Sequence, residues 1–120
     1  MKTIVVLGAN PKTDRYAFKA MQKLQEHGYN AVLVNPAFSE MHGERCYASI
    51  ADVPQPIDTV SLYLRPARST PLMEDILKAR PRRIIFNPGA ENKWLAKAAS
   101  LAGIVTVKRR TLEMLEAGTF

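Results

Sequence analysis

Five short apolar runs punctuate the chain, each stopped by glycine, proline or asparagine, or by a shift to charged residues. They are Thr3 to Gly8, Asn30 to Val34, Thr59 to Leu64, Arg83 to Asn87 and Ile104 to Val107. Their apolar positions are continuous rather than alternating, the mark of strands buried on both faces. Between them the period lengthens to that of a helix. Asp14 to His27 places Ala17, Met21 and Leu24 on one face with Phe18 beside them; Thr13 or Asp14 suits the N-cap and Gly28 the C′ position. A second helix, capped by Ser69 or Thr70 with Pro71 in its first turn, turns Leu72, Ile76 and Leu77 inward. A third, Glu91 to Ala102, is expected to bury Trp94, Leu95, Ala98 and Ala99 and to stop at Gly103, and a last short helix uses Leu112 and Leu115. Residues Ala37 to Pro56 read as irregular, apart from a short helical turn over Ser49 to Val53 before Pro54.

This alternation predicts an α/β fold: a Rossmann-like, doubly wound, parallel five-stranded sheet in a three-layer α/β/α arrangement. Right-handed crossovers lead to strand order 3-2-1-4-5, with the topological switch point between the first and fourth strands. The 120 residues suit one domain, residues 1–120, with enough buried surface to need no metal or disulfide. Ligands of such sheets bind outside the carboxyl ends of the strands. That edge collects Gly8-Ala9-Asn10, Asn35-Pro36, Leu64-Arg65-Pro66 and Asn87-Pro88-Gly89-Ala90.

The first of these loops carries the sharpest expectation. A strand ending in a glycine turn that opens into a helix leaves backbone N–H groups without internal partners at a partly positive helix end. A pyrophosphate fits there, so a nucleotide-like ligand is expected above Gly8. Gly8-Ala9-Asn10-Pro11 is not a full G-x-G-x-x-G. At the tip of the second strand, where NAD-binding domains usually carry an acid for the ribose hydroxyls, this chain has Val34-Asn35-Pro36. That counts against NAD(H) and leaves NADP(H) or a 3′-phosphorylated adenosine. Lys12 and Arg15 follow the turn and suit charge-assisted bonds to phosphate, with Arg65 and Arg68 as second candidates. Asn87 to Glu91 forms another glycine turn at a helix entrance, beside the first in that strand order; Glu91 is either a cap-region acid or a ligand contact.

The formal net charge of +6 fits either a solvated basic surface or an anionic partner. The runs Arg80-Pro81-Arg82-Arg83 and Lys108-Arg109-Arg110 raise nucleic-acid binding, but no interleaved aromatics or recognisable motif accompany them. The single Cys46 makes no intramolecular disulfide, and no Cys/His cluster has zinc spacing, which points to no metal and to a reduced, cytoplasmic setting. No segment reaches the roughly 20 apolar residues a membrane helix needs. His27 and His42 have no triad or metal-pair partner, and no acid–base pair for catalysis emerges.

Taken together, Val6-Leu7-Gly8-Ala9-Asn10-Pro11, Gly28-Tyr29, Val34-Asn35-Pro36, Gly43, and Cys46-Tyr47-Ala48-Ser49-Ile50-Ala51-Asp52-Val53-Pro54, followed by Ile57-Asp58 and Arg65, resemble the CoA-binding domain family. Its members include small stand-alone proteins similar to the nucleotide-binding domain of the succinyl-CoA synthetase alpha subunit. The Ala-Asp-Val-Pro run and its spacing are the specific part, and the likeness covers nearly the whole chain. It implies a domain that holds the ADP half of CoA or an acyl-CoA. Gly8, Ala9, Asn10 and Pro11 would line the pyrophosphate loop, with Lys12 and Arg15 near phosphate. Asn35 and Pro36 would border the adenosine ribose. Leu64, Arg65 and the Pro88-Gly89-Ala90-Glu91 turn would close the cleft. Lys108-Arg109-Arg110 and Asn87-Pro88-Gly89-Ala90 depart from the family's usual turns, and no ligase activity carries over. The expected function is therefore a CoA-binding module without catalysis of its own, its partner a small nucleotide-type molecule. The alternatives are an NADP(H)-dependent oxidoreductase and, behind it, a basic nucleic-acid-binding domain. Pairing of two copies stays open.

Overall fold

The computed structural model describes all 120 residues, Met1–Phe120. Its strands are β1 (Thr3–Leu7), β2 (Asn30–Val34), β3 (Glu40–Met41), β4 (Glu44–Tyr47), β5 (Thr59–Leu62), β6 (Arg83–Phe86) and β7 (Val105–Lys108). The helices are α1 (Tyr16–Glu26), α2 (Pro66–Ser69), α3 (Met73–Lys78), α4 (Lys93–Leu101) and α5 (Thr111–Ala117), with 3-10 turns over Ile50–Asp52 and Thr70–Leu72. The Rossmann-like α/β architecture stands, with a mostly parallel sheet.

The strand count and order differ from expectation. Seven strands run in the order β3-β4-β2-β1-β5-β6-β7, and every pairing is parallel except β3 with β4. The strand expected third, β5, lies beside β1 rather than beyond β2. Its place beside β2 is taken by β4, where Cys46 pairs with Leu33 and Tyr47 with Val34. The residues 37–56 expected to be irregular hide this strand because Glu44-Arg45-Cys46-Tyr47 buries only Cys46 fully. A four-residue strand with one buried side chain has no apolar run to detect. The switch point therefore falls between β1 and β5, and the turn after β6 is separated from β1 by β5.

Helix boundaries shift for local reasons. Asn10 Oδ1 accepts the Lys12 amide at 2.9 Å, and the Arg15 amide donates to Lys12 O at 3.1 Å. This tight turn occupies residues 10–15, so α1 starts at Tyr16 with Arg15 as an N-cap that makes no side-chain bond; neither Thr13 nor Asp14 caps it. Pro66, read as a strand stop, opens α2 at its first position. Neither Ser69 nor Thr70 caps a helix through its side chain. Their hydroxyls accept from Asn92 Nδ2 at 2.8 and 3.0 Å, while Asn92 Oδ1 accepts the Trp94 and Leu95 amides and caps α4. Leu95 and Ala99 form the buried side of α4, whereas Trp94 is 62% exposed, against expectation.

Two cores sandwich the sheet. One joins Val5, Leu7, Val60, Leu62, Ile84 and Phe86 to Ile76 of α3 and Leu95 and Ala99 of α4. The other joins Ile4, Val6 and Leu33 to Ala17, Phe18, Met21 and Leu24 of α1 and Leu115 of α5. Burial of each large apolar side chain contributes about 1.5–3 kcal/mol. Both faces of β1, β5 and β6 are fully covered, as the continuous runs foretold; β7, at the edge, leaves Val105 half exposed. No helix is long and apolar enough to cross a membrane.

Candidate functional site

Four strands end at one cleft of about 440 Å³. Leu7 to Asn10 form its floor, Val34 to Pro36 and Ala48 to Ile50 one side, and Tyr63 to Arg65 with Arg68 and Leu72 the other. Its place follows from the topology: β1 and β5 send their crossovers to opposite faces of the sheet, so the space above their carboxyl ends stays open.

Gly8 lets the walls approach. Its φ is +92°, and a Cβ there would lie 2.9 Å from Leu64 Cδ2 and 3.4 Å from the Tyr63 carbonyl carbon. Its amide, with that of Ala9, is already engaged: both donate to Val34 O, at 3.0 and 3.2 Å. The glycine turn thus offers fewer donors than a helix-opening loop would. The amides of Asn10, Thr13 and Asp14 make no bond within the protein. Asn35 ties the loops together, donating through Nδ2 to Ala9 O at 2.8 Å and accepting the Ala37 amide at 2.9 Å.

Of the residues singled out from sequence, the cleft brings together Gly8, Ala9, Asn10, Asn35, Pro36, Leu64, Arg65 and Arg68. Pro11, Lys12 and Arg15 sit beyond its rim in the turn before α1; the Pro11 carbonyl is held by His42 Nε2 at 2.7 Å. Pro88, Gly89, Ala90 and Glu91 also lie outside the walls, because β5 intervenes. Glu91 Oε1 accepts the Gly89 amide at 2.8 Å, which closes that turn on itself, and the helix cap is Asn92. Tyr63, Ser49, Ile50 and Leu72 are lining residues that sequence reasoning did not select. The Ser49 turn was visible as a helical turn, but nothing marked it as facing Gly8.

Arg65 and Arg68 are the only formal charges in the lining, and neither is in an ion pair. No carboxylate shares the cleft. Burial pushes the Tyr63 phenol up despite the opposing pull of the Ser61 and Thr111 hydroxyls and the Arg110 charge, so it is neutral near pH 7. Burial also raises the Cys46 thiol, against a backbone contact at Asn35, so its nucleophilic thiolate is scarce. No three His, Cys, Asp or Glu side chains converge on a metal-sized site.

The basic runs are largely absorbed by the fold. Arg82 pairs with Asp58 at 3.1 Å, and buried Arg83 binds Thr59 Oγ1 and Phe120 O. Arg110 stacks on Tyr16 at 3.7 Å. They bracket opposite ends of β6 and β7 and make no continuous stripe.

The family model described as "CoA binding domain" matches residues 2–116. A crystal structure of an uncharacterized protein is 40% identical, with a TM-score of 0.93, covering 100% of this chain and 98% of that one. Among curated relatives, the uncharacterized protein YneT of Bacillus subtilis (strain 168) is 29% identical over 77 residues, 64% of this chain and 57% of that protein. The ADP-forming acetate–CoA ligase I of Archaeoglobus fulgidus is 29% identical over 70 residues, 58% of this chain but 10% of the ligase. The chain therefore spans just over half of the first relative and a small part of the second. None of these descriptions concerns a nicotinamide cofactor, and the NADP(H) alternative finds no support in them. On the match to residues 2–116, this chain is a member of the CoA-binding domain family.

Proposed function

We propose that the chain binds CoA or an acyl-CoA through its ADP moiety in the switch-point cleft, as a ligand-holding module without catalysis of its own. Two unpaired arginines, Arg65 and Arg68, in a cleft free of carboxylates carry this reading. They balance a polyanion, while Pro36, Ile50 and Leu72 give the apolar contact a base requires. The diphosphate lies over Gly8, Ala9 and Asn10, where a side chain at position 8 would intrude. Asn35 and Pro36 border the ribose. Pro11, Lys12 and Arg15 act from the rim as long-range positive charge, and Pro88 to Glu91 stand further off, toward the end of the bound arm.

Calorimetric titration with CoA, 3′-dephospho-CoA and NADP+ tests this. CoA is expected to bind most tightly, and Arg65→Ala and Arg68→Ala each to weaken it about tenfold, as loss of one charge-assisted bond implies. Absence of CoA binding, or tighter binding of NADP+, overturns it. Native mass spectrometry of freshly purified protein would report the retained ligand and the subunit count together.

A further inference from the structure

Residues 10–15 join the cleft floor to α1, and their own bonds are local. The Lys12 amide donates to Asn10 Oδ1 at 2.9 Å, the Arg15 amide to Lys12 O at 3.1 Å, and Arg15 pairs with neighbouring Asp14. One hydrogen bond ties this turn to anything beyond α1: His42 Nε2 lies 2.7 Å from Pro11 O, 31 residues away. A carbonyl only accepts, so Nε2 carries a proton and donates. Phe18 of α1 packs against the imidazole, with ring centroids 4.9 Å apart.

The hairpin that presents His42 does so at a conformational cost. Met41 pairs with Glu44, leaving a two-residue loop in which His42 (φ +50°) and Gly43 (φ +79°) are both left-handed. That is the type I′ pattern, whose first position favours asparagine and strains most other side chains. Closing the hairpin therefore does not explain the histidine. Reach does: an asparagine amide would stop one bond nearer the backbone than Nε2. The same hairpin continues through β4 into Ala48, Ser49 and Ile50, one side of the cleft, where the Asn35 amide donates to Tyr47 O at 2.9 Å. It thus holds the cleft twice, one side by its own chain and the turn beyond Asn10 by His42.

Resting on the CoA-binding assignment above, we propose that His42 is a positioning residue for the ligand: by holding Pro11 O it fixes the turn that follows Asn10, so that the diphosphate meets a surface ordered in advance. A segment ordered before binding does not have to be ordered by the ligand, which raises affinity without any contact between His42 and the ligand.

His42→Asn separates this role from a merely structural one. Asparagine suits the turn, so Tm should stay within about 2 °C of wild type or rise. Calorimetry with CoA and with ADP should nevertheless show both weakened by the same factor, about three- to tenfold, because both carry the diphosphate. His42→Gln, which returns a donor at the same reach, should bind within about twofold of wild type. Amide order parameters from nitrogen-15 relaxation should fall over residues 10–15 in His42→Asn and recover when CoA is added. Unchanged affinity in His42→Asn, a loss confined to CoA, no rescue by glutamine, or unchanged order parameters each overturn the proposal while leaving CoA binding intact. Failure of wild type to bind CoA removes both. Should His42→Asn not fold, His42→Gln and His42→Ala decide: equal CoA affinity in the two refutes the clamp.

Discussion

Gly8→Ala separates two physical costs that one glycine can carry. The first is conformational: at φ +92° an L side chain is strained, by about 1–2 kcal/mol. The second is steric. The new Cβ would meet Leu64 Cδ2 at 2.9 Å, Leu64 Cγ at 3.1 Å and the Tyr63 carbonyl carbon at 3.4 Å. The Leu64 methyl can swing aside, but Tyr63 is held by its amide on Leu7 O at 2.9 Å. Overpacking there adds about 1 kcal/mol. Gly28→Ala is the control, since its φ is +83° and a Cβ there would find nothing within 4 Å. Gly8→Ala should therefore be the costlier by about 1 kcal/mol, or about 4 °C in Tm for a chain this size. Thermal unfolding followed by circular dichroism reads the difference, and CoA titration should show weakened binding only for Gly8→Ala. If Gly28→Ala lowers Tm as much as Gly8→Ala, the close approach of β5 to the glycine turn has no energetic content and the reasoning fails.

Other outcomes follow from the same geometry. Arg15→Ala should leave CoA affinity within about twofold, whereas Arg68→Ala lowers it about tenfold and flattens its salt dependence; equal losses in titrations would place the anion outside the cleft. Asn92→Ala removes the α4 cap and leaves the buried Ser69 hydroxyl without its donor, costing about 2–3 kcal/mol in urea unfolding. Burial raises the Asp58 carboxyl, but its bonds to Arg82 and Thr59 and the charges of Arg82 and Lys2 outweigh this and hold it below the usual range. Its contribution is thus complete above the unfolded pKa and lost as pH falls through the folded one. Asp58→Asn should cost about 1 kcal/mol at pH 7, modest because Arg82 is half exposed, and a smaller amount near pH 3 in paired urea melts. Trp94→Ser should change stability by less than about 0.5 kcal/mol, because the ring touches Lys93 rather than the core.

Much of this protein is written locally. Continuous runs such as Ile4-Val5-Val6-Leu7 and Ile84-Ile85-Phe86 demand cover on both faces, and with helical periods between them they dictate a parallel α/β sheet before any contact is known. The glycine turn at Gly8, the Asn35-Pro36 tip and Arg65 were legible for the same reason: each sits where a strand must end. What the chain could not announce is adjacency. Glu44 to Tyr47 becomes a strand only because the edge of β2 is there to pair with, and this moves the switch point to β5, carries Pro88 to Glu91 away from the cleft and brings Tyr63 and Ser49 into it. The fates of the backbone and side-chain donors were likewise invisible. Val34 O lies 26 residues from Gly8 yet takes its amide, and Asn92 caps α4 while satisfying Ser69. Periodicity reports which faces seek burial, but hydrogen bonds are made between groups that meet only once the layers have closed.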